Sequence, residues 1–254
     1  MDVSARHRVI LDLLRARGRV EVPELAVRLE TSTITVRRDL DVLAGLGALR
    51  RVRGGAVPST LRGEGLPFEV RAVDEAPLKA RLAAVVAGLI GDGEAVVLDS
   101  GTTGAATAQA LAGRRLTVMP LSVQGIAALA GSPSVSLLLP GGTVRHPEGS
   151  IVGPLAERAL AELRFDTAVL TCCAADPDAG VTAHDLADAA VKKALRRSAQ
   201  RTVLVAEGAK FHRTALAVVC GLVEVDVLVT DSSAPAEVVA GLVAAGVRVE
   251  VVPA

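Results

Sequence analysis

Residues 31–57 read TSTITVRRDLDVLAGLGALRRVRGGAV, and the order of residue types along them sets the fold of the N-terminal part. Ser32 suits a helix N-cap, because its short hydroxyl can accept from a free backbone N–H. Val36, Leu40, Leu43 and Leu46 follow at three- and four-residue spacing and form one apolar stripe. Gly45 and Gly47 bracket the end of that helix. The next run, ALRRVRGGAV, alternates and carries a glycine pair at 54–55, as a short hairpin does. Upstream, Val9, Ile10, Leu13 and Leu14 recur at helical spacing within 5–17, and Gly18 ends that helix. Pro23 suits the first turn of a second helix that turns Leu25, Ala26 and Leu29 inward. Helix, helix, turn, helix and hairpin is the layout of a winged helix-turn-helix, whose third helix enters the DNA major groove.

Charge supports this reading. The 254 residues hold 28 basic and 28 acidic side chains. Residues 1–57 hold eleven Arg against seven acids, a net +4, which leaves 17 bases against 21 acids, or −4, for the rest. A basic head on an acidic body points to a polyanionic partner for the head. On the third helix the exposed side would offer Ser32, Thr33, Thr35, Arg37 and Arg38. Hydroxyls bind phosphates or base edges, and arginine grips guanine with two donors. The hairpin, or wing, would offer Arg50, Arg51 and Arg53 beside Gly54 and Gly55, where glycine lets the backbone come close to a phosphate. The expected DNA-binding set is Ser32, Thr33, Thr35, Arg37, Arg38, Arg51, Arg53 and Gly54. Periodicity and charge alone leave open a three-helix bundle with a solvated arginine face.

The same stretch resembles the signature of DeoR-type repressors. In that family a Val-Ser pair precedes Thr-Ile-Arg-Arg-Asp-Leu, followed by Leu, Gly and an Arg-Val-x-Gly-Gly-Ala ending. Ser32, Thr35, Arg37, Arg38, Asp39, Leu40, Leu43, Gly47, Leu49, Arg51, Val52, Gly54, Gly55 and Ala56 match it. Thr31, Val36 and Arg53 depart from it, and none of them removes a hydrogen-bonding group. The resemblance implies that Ser32, Thr35, Arg37 and Arg38 face DNA. Asp39 is expected to orient arginines or cap structure, since phosphate repels a carboxylate.

Half of the chain is apolar, with three Phe and neither Tyr nor Trp, so Ala, Val and Leu must build a sizeable core. Its length suits about two domains. Residues 58–75, with Pro58, Gly63, Gly65 and Pro67, read as a linker. From 76 onward, apolar runs at 95–98, 116–119, 135–139, 167–172, 202–206, 226–230 and 247–252 read as buried strands. Helical stretches at 78–90, 103–112, 123–130, 153–163, 185–199 and 234–245 separate most of them. Such alternation predicts an α/β domain with a mainly parallel sheet covered on both faces. The expected division is a winged helix-turn-helix over 1–57, a linker over 58–75, and a sensing and oligomerisation domain over 76–254.

Within that domain EAVVLDSGTTGAATAQAL, residues 94–111, reads as strand, turn and helix. Asp99, Ser100, Gly101, Thr102 and Thr103 fall at the junction, where a helix opening presents free N–H groups and the positive end of its dipole to an anion. No P-loop lysine and no dinucleotide fingerprint follow, and an ordinary strand-to-helix turn remains open. Gly141 and Gly142, with Arg145 nearby, form a second candidate, for which a plain turn also remains open. Only four lysines, Lys79, Lys192, Lys193 and Lys210, accompany 24 arginines, and lysine is the compact point charge of the two. Lys192 and Lys193 share a helix with Arg196 and Arg197, so a solvated face accounts for at least one of them. Lys79 and Lys210 stand apart.

The body extends the resemblance to about residues 5–231. DeoR-type sensors resemble ribose-5-phosphate isomerase in fold. They carry a lysine, Asp-Ser-Gly-Thr-Thr, a Gly-Gly pair, a Gly-x-Thr segment and an Asp-x-Ser-Lys-Phe segment. Lys79, Asp99 to Thr103, Gly141 with Gly142, Gly180 with Thr182, and Lys210 with Phe211 match. The resemblance implies that Lys79, Gly101, Thr102, Thr103 and Lys210 hold the phosphate of a sugar phosphate. The expected effector-binding set is Lys79, Asp99, Ser100, Gly101, Thr102, Thr103, Gly141, Gly142, Arg145 and Lys210. Two departures reshape the pocket. Pro120, Leu121 and Ser122 replace the family's Thr-Asn-Ser, and Glu207 replaces the first Asp of the lysine segment.

The expected function is therefore a DNA-binding regulator, a repressor of carbohydrate or related metabolic genes controlled by a phosphorylated sugar. Its expected partners are double-stranded operator DNA, the effector and a second copy of itself. A body that only oligomerises is one alternative. A sugar-phosphate isomerase is another, but it needs paired acids after a middle strand, and AVLTCCAADPDAG at 168–180 is apolar there. Asp176 and Asp178 lie at its far end in a Pro-containing turn, so no catalytic residue is assigned. Cys172, Cys173 and Cys220 lack disulfide or metal-ligand spacing and read as small buried hydrophobes. No cofactor or metal is called for. The absence of a membrane-spanning or signal-peptide apolar run leads to an expectation of the cytoplasm.

Overall fold

The computed structural model describes residues 2–58, 68–73 and 75–254. The chain falls into two compact units, residues 1–75 and 76–254. In the first, helices α1 (Val3–Arg17), α2 (Val22–Arg28) and α3 (Thr33–Gly45) accompany strands β1 (Val20–Glu21), β2 (Leu49–Val52) and β3 (Gly55–Pro58). Helix α1 stops at Gly18, which takes up the left-handed conformation at φ 70°. Pro23 lies in the first turn of α2. Ser32 caps α3, its Oγ accepting from the Thr35 N–H at 3.1 Å. Ile10, Leu14, Leu25, Val36, Leu40 and Leu43 meet in one core. Burying each of the leucines contributes about 1.5–3 kcal/mol.

The wing is three-stranded rather than two-stranded, in the order β1-β3-β2. Strand β1 is too short for periodicity to reveal, and Gly55 makes room for it. A Cβ at Gly55 would lie 1.9 Å from the Val20 carbonyl oxygen. Within the expected linker, Phe68–Val73 form helix α4. That run contains neither glycine nor proline to interrupt it. Residues 59–67 and 74 of the same stretch lie outside the described residues.

The second unit opens with α5 (Ala76–Leu89), β4 (Ala95–Leu98), α6 (Thr102–Leu111), β5 (Leu116–Pro120), α7 (Val123–Leu129) and β6 (Val135–Leu137). A hairpin follows, β7 (Thr143–Arg145) with β8 (Ser150–Val152), then α8 (Pro154–Ala161) and β9 (Phe165–Thr171). The remainder is β10 (Ala174–Asp176), β11 (Gly180–Ala183), α9 (Leu186–Arg197), β12 (Ala199–Val205), β13 (Ala217–Cys220), β14 (Val227–Asp231), α10 (Ala236–Ala244) and β15 (Arg248–Val252). The seven strands expected from apolar runs form one sheet, ordered β15-β14-β12-β9-β4-β5-β6. Every pairing in it is parallel.

Alternation along each strand sorts side chains to two faces. Val96, Leu98, Val169, Val203 and Val205 pack with Leu82 and Val86 of α5 and Leu111 of α6. Val97, Leu170, Leu204 and Leu228 pack on the other face with Leu160 of α8, Leu195 of α9 and Leu242 of α10. Cys172 and Cys220 are buried, and burial pushes both thiols up to about 11. They sit in the core as small apolar groups. Strands β10, β11 and β13 form a separate antiparallel sheet. In it Thr182 donates to the Ala174 carbonyl and accepts from the Ala215 N–H, so the Gly-x-Thr segment is structural here.

Candidate functional sites

In the first unit, the three buried apolar positions of α3 (Val36, Leu40 and Leu43) leave the opposite face outward. Thr33, Arg37 and Arg38 are exposed there. Ile34 is 61% exposed among them. Core-oriented periodicity passes over such a residue, and its only signal is an apolar side chain off the stripe. The Ser32 and Thr35 hydroxyls lie 2.9 Å apart, so both shape the helix start as well as border that face. Asp39 is buried and accepts from Arg6 Nε at 2.8 Å and Nη2 at 3.0 Å, with His7 at 3.2 Å. Burial would raise its carboxyl, but Arg6 and His7 outweigh that and hold it below the usual aspartate range.

On the wing, Arg53 and Gly54 are exposed at the turn between β2 and β3. Arg51 differs from its neighbours. Its Nε lies 3.1 Å from Asp41 Oδ1 on α3, so its guanidinium ties the wing to the helix, and a phosphate would have to compete for it.

In the second unit, the sheet order reverses between β4 and β9: β5 and β6 extend one way from β4, while β12, β14 and β15 extend the other way from β9. Ligands of open parallel sheets bind beyond the carboxyl ends of the strands at such a switch point. Asp99 follows β4 directly and is buried. Its carboxylate accepts from the Thr171 N–H at 2.9 Å, the Thr171 hydroxyl at 3.0 Å, the Ser100 N–H at 2.8 Å and Lys192 Nζ. Asp99 therefore fastens β4 to β9 underneath the switch point, with its carboxylate turned inward. Lys192 is only 2% exposed and also lies 3.6 Å from Asp188. Burial would lower the Lys192 ammonium, but Asp188 and Asp99 raise it above its ordinary value. Burial raises the Asp188 carboxyl, against the pull of Lys192. The run of basic residues around Lys192 hides this role in the sequence, whereas Lys193 is half-buried.

Helix α6 opens on Gly101, which supplies no side-chain cap. Close packing of this opening needs Gly104, where a Cβ would fall 2.3 Å from the Asp99 carbonyl oxygen. Thr102 and Thr103 are buried on the first turn, and Lys79 of α5 is buried too. Thr103 Oγ1 donates to Glu207 Oε1 at 3.3 Å, and Lys210 Nζ lies 3.4 Å from the same oxygen. Burial would raise the Glu207 carboxyl, but Lys210, Lys79 and Thr103 hold it below the usual glutamate range. The turn carrying Glu207 and Lys210 is itself anchored, because the Gly208 N–H donates to Asp231 at 2.6 Å. Thr103 and Lys210 thus meet at one Glu207 oxygen, 104 positions of chain beyond Thr103, and Lys79 acts on the same carboxylate electrostatically.

The remaining expected residues sit to one side. Gly141 and Gly142 are exposed ahead of β7, and Gly142 faces the Val152 carbonyl and Ala156. Arg145 Nε lies 4.0 Å from Asp185 at the start of α9. Arg145 also acts electrostatically on Asp188, which places it beside the Lys192 network and not among the Glu207 contacts. Asp176 caps its own turn, accepting from the Asp178 and Ala179 N–H groups at 3.0 Å each.

Two family models match the chain: a DeoR-like helix-turn-helix domain over residues 6–60 and a DeoR C-terminal sensor domain over residues 74–232. The transcriptional repressor AccR of Agrobacterium fabrum is 34% identical over 229 residues, 89% of either chain. The glycerol-3-phosphate regulon repressor of Haemophilus influenzae is 32% identical over 231 residues, 91% of this chain and 90% of that one. Among solved structures, ribose 5-phosphate isomerase A from Methanocaldococcus jannaschii superposes on 54% of this chain and 55% of its own. Its TM-score is 0.40 at 16% identity, a likeness too slight to argue from. No helix among the described residues is long and apolar enough to cross a membrane.

Proposed function

The chain belongs to the DeoR family of transcriptional regulators, and from that premise we propose that it is a DNA-binding repressor whose operator affinity is set by a small phosphorylated sugar. The observation that carries the sensing half is the meeting of Thr103 and Lys210 at one Glu207 oxygen by the start of α6, with Lys79 acting on the same carboxylate. Those are positions to which the family resemblance assigns phosphate. A helix start with two ammonium groups suits a phosphate dianion.

In this reading residues 1–57 bind operator DNA, 58–75 link, and 76–254 sense the effector and oligomerise. Thr33, Arg37 and Arg38 read the major groove, with Ile34 offering an apolar contact for a thymine methyl. Ser32 and Thr35 shape the helix start, and Arg53 and Gly54 approach the backbone. Gly101, Thr102, Thr103, Lys79 and Lys210 hold the phosphate. Ser100, Gly141, Gly142 and Arg145 border the site, with Asp99 as its support. Subunits pair through the second unit and present two heads to repeated half-sites. The effector releases DNA because it binds one arrangement of the protein better than another. The protein works in the cytoplasm and is not an enzyme: the relatives are regulators, and Asp176 serves a surface turn.

The test is binding to the chain's own upstream DNA by fluorescence anisotropy at fixed salt, with a panel of sugar phosphates that includes glycerol 3-phosphate. A site-selective complex weakened by one compound is expected, with Lys210→Ala keeping operator affinity and losing the response. Arg37→Ala is expected to cost about 1–3 kcal/mol and to relax base preference. A normal effector response in the Lys210 variant would remove the pocket assignment. Selective binding that no compound alters would leave the second unit as an oligomerisation platform, and loss of all selectivity would remove the reading of the head.

A further inference from the structure

We propose that the Glu207 carboxylate is a built-in occupant of the phosphate seat, and that an anionic effector binds by displacing it from Thr103 and Lys210. This rests on the phosphate-sensing reading above. A single oxygen, Glu207 Oε1, takes both the Thr103 hydroxyl at 3.3 Å and the Lys210 ammonium at 3.4 Å. A phosphate oxygen seated at the start of α6 would need those same two donors.

Charge leads to the same conclusion. Lys192 is not available, being enclosed by Asp99 and Asp188. The cations acting at Glu207 are Lys210 and Lys79. A phosphate group carries about −1.5 to −2 near neutral pH, and a carboxylate left in the same seat would repel it. Displacement needs a path and a fixed pivot. The Glu207 and Lys210 side chains are 15% and 19% exposed, which opens a path to solvent. The backbone between them is pinned by the bond from the Gly208 N–H to Asp231, itself tied to Ser233. With that turn held, the Glu207 side chain can swing outward without moving the backbone that carries Lys210. The tethered carboxylate acts as a competitor at fixed local concentration, so it sets a threshold of effector concentration and excludes weakly charged ligands.

The test compares the full-length protein with Glu207→Gln and Glu207→Asp by isothermal titration calorimetry with inorganic phosphate at neutral pH. Glutamine keeps the volume and removes the charge. Aspartate keeps the charge and draws it back by one methylene. Both variants are expected to bind phosphate roughly two- to fivefold more tightly than the unchanged protein, the scale of losing one competing ion pair. Thermal unfolding reports whether each variant folds, and the aspartate variant decides the matter if the glutamine variant does not. Equal or weaker binding by the variants would overturn the proposal and make Glu207 a residue that positions Lys210, with phosphate sensing intact. Failure of all three proteins to bind phosphate would overturn the proposal and the sensing reading together.

Discussion

Asp39 stands among arginines that an operator would attract, yet it is buried and held by two Arg6 nitrogens and by His7. Its carboxyl titrates below the ordinary aspartate value of 3.8 in the fold. A group whose folded value is depressed contributes stability above its unfolded value and loses it as pH falls through the folded one. Asp39→Asn is therefore expected to cost about 1–3 kcal/mol at pH 7, with the gap to the unchanged protein closing in acid below about pH 4. Urea unfolding across pH measures this. Lys192 presents the opposite case. Lys192→Met leaves Asp99 and Asp188 buried without their cation, an expected loss of about 3–5 kcal/mol. Uncompensated buried carboxyls bind protons more readily folded than unfolded, so that variant should regain stability as pH falls. A loss that does not depend on pH would show that packing, not charge, makes Lys192 necessary. The character of Asp39 is legible in the sequence, because a carboxylate in a DNA-facing run needs a partner. That of Lys192 is not, because its partners lie 93 positions away at Asp99 and on its own helix at Asp188.

Among elements, the long apolar ones are legible and the short polar-edged ones are not. All seven apolar runs become strands of the parallel sheet, since a strand buried on both faces must be apolar throughout. Strand β1 has two residues, and β7, β8 and β10 three each, too few for any period to register. Their pairing comes from neighbours, as Gly55 shows. Gly55→Ala would drive a Cβ against the Val20 carbonyl, separate β1 from β3, and destabilise the first unit by roughly 2 kcal/mol or more, with operator affinity falling alongside. Gly45→Ala is the control: a Cβ there meets open space, and alanine in a helix is favoured by roughly 0.5–1 kcal/mol. Paired thermal unfolding curves should move in opposite directions.

For the whole molecule, control of one unit by the other is a coupling free energy, and coupling is reciprocal. If the effector weakens operator binding by some factor, operator DNA must weaken effector binding by the same factor. Calorimetric titration of effector into the protein, with and without saturating operator, is expected to return that equality. Unequal factors would mean that the two ligands do not act on one shared equilibrium.

What the sequence determined by itself is whatever local rules govern: the capped recognition helix, the wing glycines, the apolar strands and the separation of a basic head from an acidic body. Periodicity, capping and composition act over a few residues, so they can be read along a line. Which charges face which follows from the packing of the strands and helices. Sheet order brings the end of β4 beside the end of β9, turns Asp99 inward to Lys192, and sets Glu207 between Thr103 and Lys210. Electrostatic pairing depends on distance in space and on burial. Neither can be inferred from separation along the chain until the strands have been placed in order.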